Sequence, residues 1–126
     1  MRVLDASAVL ALLNDEPGAS MVAERLDGAT VFTVNLAEIL TKVVDVGGDP
    51  RAVTAQLAAA GVAYTEITVD DAQLAAVLLV LDGARQLSLG DRCCLAVALR
   101  VADSQVLTAD RAWSQLAVPT TIVQIR

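Results

Sequence analysis

Short β-branched runs alternate with helical patterns along the whole chain, and this alternation restricts the fold more than any other feature of the sequence. Arg2–Leu4 reads as a short apolar strand and Ala6–Leu13 as a helix, with a second helix over Ala19–Leu26. Thr30–Val34 is rich in β-branched residues and reads as a strand. Leu36, Ile39, Leu40 and Val43 then follow the i, i+3, i+4, i+7 stripe of a helix. Asp49 before Pro50 is an N-cap with proline at the first helical position, opening a helix to Ala60. Val62–Ile67 reads as a strand, and Asp70 or Asp71 caps a helix through Leu81. Ser88 and Asp91 form an S-x-x-D start for a helix through Val101. A strand over Gln105–Thr108, a helical turn over Arg111–Leu116 and a strand over Thr121–Ile125 complete the series. Strands alternating with helices indicate α/β architecture, with a mainly parallel sheet covered on both faces. An all-α bundle leaves segments 30–34 and 121–125 unexplained.

The 126 residues suit a single domain over 1–126. Apolar residues make up 56 %, above the usual ~45–50 %, which excludes a disordered chain. Aromatics are 2 %, so a module that stacks bases on an aromatic platform is disfavoured. Residues 52–65 and 112–125 are free of charge, but both are shorter than the ~20 apolar residues of a spanning helix. The N-terminus has Asp5 inside its apolar stretch and Asp15, Glu16 and Pro17 where a signal peptide has small residues. The expectation is a mature cytoplasmic protein. Cys93 and Cys94 are too few for a disulfide scaffold and lack zinc spacing, so they read as small buried hydrophobes in a reducing compartment.

There is no histidine, which removes Ser-His-Asp, Cys-His and paired-His chemistry and His-ligated zinc together. The net charge is −6, so bulk charge does not hold nucleic acid to this protein; if its substrate is nucleic acid, something must invert the local field, and a divalent metal would.

The acids are informative because of where the expected topology puts them. In a parallel α/β unit the strand C-termini share one edge with the N-termini of the helices that follow, and ligands bind along that edge. Asp5 ends the first strand. Glu38 is expected in the first turn of the helix after the second strand, Asp91 in the first turn of its helix, and Asp110 two residues beyond the fourth strand. All four lie in apolar contexts, such as Val3-Leu4-Asp5-Ala6 and Leu89-Gly90-Asp91-Arg92-Cys93. Crowded, partly buried carboxylates repel unless a cation joins them. Oxygen donors without His or Cys suit Mg²⁺ or Mn²⁺. Each acid also has a local reading: Asp91 completes a capping box with Ser88, Asp5 and Asp110 are turn residues, and Glu38 is a solvated carboxylate paired with Lys42 at i+4.

In these segments the sequence resembles the PIN domain, and more narrowly the VapC-type toxins of bacterial type II toxin–antitoxin systems. Leu4-Asp5-Ala6-Ser7-Ala8, Asn35-Leu36-Ala37-Glu38, Leu89-Gly90-Asp91-Arg92 and Leu107-Thr108-Ala109-Asp110-Arg111 match the family's motifs in order and spacing. The resemblance implies a three-layer PIN-like fold with strand order 3-2-1-4-5. It implies a Mg²⁺- or Mn²⁺-dependent endoribonuclease with an antitoxin protein as partner. Asp5 and Asp91 would be the principal metal ligands, and Glu38 and Asp110 would complete the acidic site. Ser7 and Thr108 would orient the carboxylates. Arg92 and Arg111, each following a site acid, are candidate RNA contacts or simple ion-pair partners. The competing functions are a receiver-like regulatory domain, against which stands the absence of any lysine after Lys42, and a non-catalytic inhibitor that occupies RNA or the ribosome.

A last expectation concerns the helix from Asp71 to Leu81. Between Ala72 and Leu81 its only polar residue is Gln73, so it should be buried on two sides, the second by a homodimer or antitoxin contact.

Overall fold

The computed structural model describes residues 1–126. Five short parallel strands form the sheet: β1 (Arg2–Leu4), β2 (Thr30–Phe32), β3 (Ala63–Thr65), β4 (Gln105–Thr108) and β5 (Thr121–Gln124). Their order is β3-β2-β1-β4-β5, as the resemblance implied. β1 is central, pairing Val3 with Thr30 on one side and with Val106 on the other. Six helices connect them: α1 (Ala6–Leu13), α2 (Ala19–Glu24), α3 (Thr33–Asp45), α4 (Pro50–Ala59), α5 (Val69–Val77) and α6 (Leu89–Arg100). Single 3₁₀ turns occupy Leu78–Val80, Ala84–Gln86 and Arg111–Gln115.

The two-residue period of a strand divides the core into two. Val3, Phe32 and Val106 enter one cluster with Ala75, Leu78, α6 and Trp113. Their chain neighbours Leu4, Val31 and Leu107 enter the other with α1, Val22, Ile39, Val43 and Leu57. Both faces of the sheet are thus covered, which is why its strands lack polar alternation. No helix is long and apolar enough to cross a membrane. Cys93 and Cys94 are buried free thiols, as expected.

Several elements are shorter than the sequence reading, among them α2, which ends at Glu24, and β3, which covers only Ala63–Thr65, and three differences bear on the site and its supports. The second strand ends at Phe32, and Thr33 and Val34 begin α3 instead, so Glu38 lies beyond that helix's first turn. The cap of α5 is Thr68, neither Asp70 nor Asp71: the Thr68 hydroxyl accepts from Asp71 N while the Asp71 carboxylate accepts from Thr68 N. α5 also stops at Val77, and the chain continues as a 3₁₀ turn.

Within one chain, α5 and the turn after it are covered on one side only, through Asp71, Ala75 and Leu78, while Val77 is 62 % and Val80 is 79 % exposed; this open side is the one the sequence assigns to a partner chain. The helix buried round its circumference is α6, where Cys93, Cys94, Leu95, Ala96, Val97 and Ala98 are all in the core. Asp71, buried, accepts from Arg100 Nε and NH2 at 2.8 and 3.0 Å, and this forked ion pair fastens α5 to the end of α6. The Arg100 guanidinium holds the Asp71 carboxyl below the ordinary range.

Candidate metal centre

The four acids singled out in the sequence lie at the C-terminal edge of the sheet, where strands hand over to helices. Asp5 follows β1 and caps α1, with Oδ1 accepting from Ala8 N at 2.8 Å. The Ser7 hydroxyl donates to the same oxygen at 2.7 Å, and the Thr108 hydroxyl donates to Oδ2 at 2.5 Å. These hydroxyls are fixed in turn. Ser7 Oγ accepts from Ala109 N, Thr108 Oγ1 accepts from Asp110 N, and the two oxygens lie 3.2 Å apart. Ser7 and Thr108 therefore clamp Asp5 across the β1–β4 junction, the orienting geometry expected for them.

Asp5 is 1 % exposed, so its carboxylate has left water. Burial pushes its pKa up from 3.8 to about 6. The hydrogen bonds from Thr108, Ser7 and Ala8 pull it down, and the Asp91 charge adds to the rise. Asp91 is raised by burial, opposed by its bonds to Ser88, with the Asp110 charge adding to the rise. Glu38 is raised by burial, against the Asn35 hydrogen bond, with Asp91 again adding. Asp91 is thus the common neighbour of the other three acids.

Each acid also performs its local task. Asp91 forms the capping box with Ser88, its Oδ2 accepting from Ser88 N at 3.0 Å. Asp110 Oδ1 accepts from Ala112 N at 2.9 Å and starts a 3₁₀ turn. Glu38 Oε2 accepts from Asn35 Nδ2 at 3.4 Å. No protein hydrogen bond reaches Asp91 Oδ1, Asp110 Oδ2 or Glu38 Oε1. With the side chains placed in this way, no three acids stand close enough to grip one ion together. The donor set nevertheless fits a hard divalent cation: three half-buried carboxylates each keep one uncommitted oxygen near a fourth that is buried and clamped.

The basic residues separate. Arg92 NH1 donates to the Ala75 carbonyl at 2.7 Å, so this side chain braces α6 against α5. Arg111 is exposed and makes no side-chain hydrogen bond or ion pair. The expected Glu38–Lys42 pair does not form. Glu38 turns to Asn35, and Lys42 instead lines a cleft of about 540 Å³ between α1, α3 and α4. Ser7 is the one candidate site residue that reaches this cleft.

Two site-edge residues were missed in the sequence. Asn35 is fully buried, and its Nδ2 donates to the Gly90 carbonyl at 3.1 Å as well as to Glu38. Gly90 lies directly against the Glu38 carboxylate. The available signals were a polar residue one turn before Glu38 and a glycine inside a helix.

The PIN domain family model matches residues 2–119. No curated protein sequence matches the chain. Several solved structures share its fold. One is a toxin–antitoxin complex from Klebsiella pneumoniae, 16 % identical, with a TM-score of 0.76 over 100 % of this chain and 98 % of that one. The DNA-bound VapBC of Salmonella typhimurium is 12 % identical, with a TM-score of 0.75 over 99 % and 98 %. Mycobacterium tuberculosis VapC20, described as a Sarcin-Ricin loop cleaving toxin, is 21 % identical, with a TM-score of 0.71 over 93 % and 97 %. Identities this low speak for the fold alone, but the family model spans nearly the whole sequence, and on that match the chain belongs to the PIN domain family.

Proposed function

We propose that this protein is a divalent-metal-dependent endoribonuclease and the toxin of a type II toxin–antitoxin pair, acting as one unit over residues 1–126 in a reducing cytoplasm. The observation that carries the nuclease reading is the state of Asp5. Asp5 is buried at the sheet edge that also carries Asp91, Glu38 and Asp110, both of its oxygens are held in place by the Ser7 and Thr108 hydroxyls, and burial pushes its pKa up to about 6, so a cation is the natural complement to its charge. Its likeness in fold to VapC20 and to the two antitoxin-bound complexes supports RNA as substrate and an antitoxin as partner.

Asp5 and Asp91 would be the principal ligands of Mg²⁺ or Mn²⁺, with Glu38 and Asp110 completing the set, partly through water. When bound, such an ion supplies Lewis acidity to a phosphodiester and lowers the pKa of a coordinated water. The chain's own residues provide the rest. Ser7 and Thr108 hold both Asp5 oxygens in fixed directions, so little reorganisation is needed on binding. Arg111, free at the same edge, is the residue available to a substrate phosphate; Arg92 is committed to Ala75. Chemistry of this kind needs no histidine, and the chain has none.

The open apolar face of α5 and the turn after it, with Val77 and Val80 outward, supports a homodimer contact. Cleavage of RNA by purified protein should be abolished by EDTA and restored by Mg²⁺ or Mn²⁺. Undiminished cleavage in EDTA would overturn the metal mechanism. RNA binding without cleavage under any metal would leave a non-catalytic inhibitor in its place.

A further inference from the structure

We infer that Asn35 and Gly90 are positioning residues that together set the Glu38 carboxylate against the start of α6, beside Asp91; the inference rests on the metal-centre reading above. Two independent observations converge. The first is the Asn35 side chain, which is fully buried. Its Nδ2 spans α3 and α6, donating to the Gly90 carbonyl at 3.1 Å and to Glu38 Oε2 at 3.4 Å, while its Oδ1 is buried without a partner. A buried amide with an unsatisfied acceptor is costly, and an apolar residue would fill the site without that cost. Its retention is explained by the two groups it joins.

The second observation is the space at residue 90. Gly90 lies in the first turn of α6 with no positive φ, so its backbone does not require glycine. Alanine would favour the helix. A Cβ at this position would fall on the Glu38 carboxylate, overlapping Oε1 and Cδ and approaching Oε2 to 2.8 Å. The missing side chain is therefore what admits Glu38 to the α6 terminus. Asn35 holds the carboxylate from one side and Gly90 leaves it room on the other. Neither residue supplies an oxygen to a cation; they fix the distance between one that Glu38 supplies and the Asp91 carboxylate next in the chain.

The test uses Mn²⁺ as probe on the full-length protein, with affinity from calorimetric titration and stability from thermal unfolding in EDTA. The proteins are wild type, Gly90→Ala, Asn35→Ala, Glu38→Gln and the Gly90→Ala/Glu38→Gln double variant. Gly90→Ala should unfold no lower than wild type in EDTA, yet bind Mn²⁺ about tenfold more weakly, the lower end of what disturbing a ligand's support costs. Asn35→Ala should weaken Mn²⁺ binding similarly. The double variant should bind no more weakly than Glu38→Gln, because both changes act through one carboxylate; independent effects would multiply. Wild-type affinity in Gly90→Ala, or multiplying losses in the double variant, overturns the inference and leaves the metal centre intact. Wild-type affinity in Glu38→Gln overturns it too, since Glu38 would then lie outside the centre. A wild-type protein that binds no Mn²⁺ overturns the metal centre itself, and this inference with it.

Discussion

Replacing Asp5 by Asn should make the metal-free protein more stable while destroying its chemistry, and the structure gives the size of the effect. The ionised Asp5 carboxylate is buried, and its pKa rises from 3.8 to about 6. At 1.36 kcal/mol per unit, its charge costs the folded state about 3 kcal/mol at pH 8. Asn caps a helix about as well as Asp, so the bond from Ala8 N survives. Asn Nδ2 would face Thr108 Oγ1, which can accept if its own proton turns to Ser7 Oγ, 3.2 Å away. The 2.5 Å contact must lengthen to the ~2.9 Å of an ordinary amide bond. Allowing about 1 kcal/mol for that adjustment and the loss of a charged partner, the net gain is about 2 kcal/mol. For a chain of this size that raises Tm by roughly 5–10 °C. The sign with pH follows from the raised pKa. Below about pH 3.8 Asp5 is mostly protonated whether folded or unfolded, the charge cost vanishes, and the variant should be no more stable than wild type. As pH rises from 3.8 through about 6, wild type loses stability and the variant does not; above that the difference stays constant. Glu38 and Asp91 shift in the same direction and are present in both proteins, so the difference curve reports Asp5 together with its coupling to Asp91. The assay is thermal unfolding of both proteins from pH 4 to pH 8 in EDTA. A difference independent of pH, or a variant less stable than wild type at pH 8, would refute the reasoning.

Asp91→Asn should abolish RNA cleavage and leave Tm in EDTA equal or higher. The relief of charge crowding against Asp5 and Glu38 outweighs the ~0.3–1 kcal/mol lost at a helix N-terminus; unfolding curves beside a cleavage assay check both. Arg92→Ala should destabilise by about 1.5–3 kcal/mol, the worth of a charged hydrogen bond to Ala75. Arg111→Ala should leave Tm within a degree or two and raise KM for RNA. Val80→Glu should convert a dimer to a monomer in light scattering without lowering monomer stability, since Val80 touches no core.

The parallel sheet, its flanking helices and the shared edge of the four acids were legible because hydrophobic period and chain punctuation are local signals. The errors fall where tertiary context decides. Thr33 and Val34 are β-branched and suggest strand, yet they open α3, whose burial of Asn35, Ile39 and Val43 outweighs their weak propensity. That small shift moved Glu38 out of the first helical turn. The cap of α5 repeats the signature identified at Ser88 and Asp91, with Thr68 and Asp71 in the same roles. The sequence reading gives the cap to Asp70 or Asp71, and the bond of Asp71 to Arg100, on another helix, has no local signature. Within one chain α5 is covered on one face while the middle of α6 is buried all round: composition tells that a face wants cover, while only the packed chain tells which helix receives it there. Asn35 and Gly90 were passed over because each owes its meaning to a helix distant in sequence.

The central position of β1 sets the order in which this chain can become active. One edge of β1 pairs with β2, which follows soon after it, and the other waits for β4, with Val3 opposite Val106. Until β4 has been made, Asp5 lacks the Thr108 hydroxyl that holds it and the Asp110 segment that completes its surroundings. Ribosomes add ~5–20 residues per second, and distant parallel pairings are slow to close. For most of its synthesis the nascent chain therefore carries a scattered acidic edge with no chemistry to perform. Closure of the sheet and assembly of the carboxylates are a single late event, so a chain that stalls or is cut before β4 is left with neither.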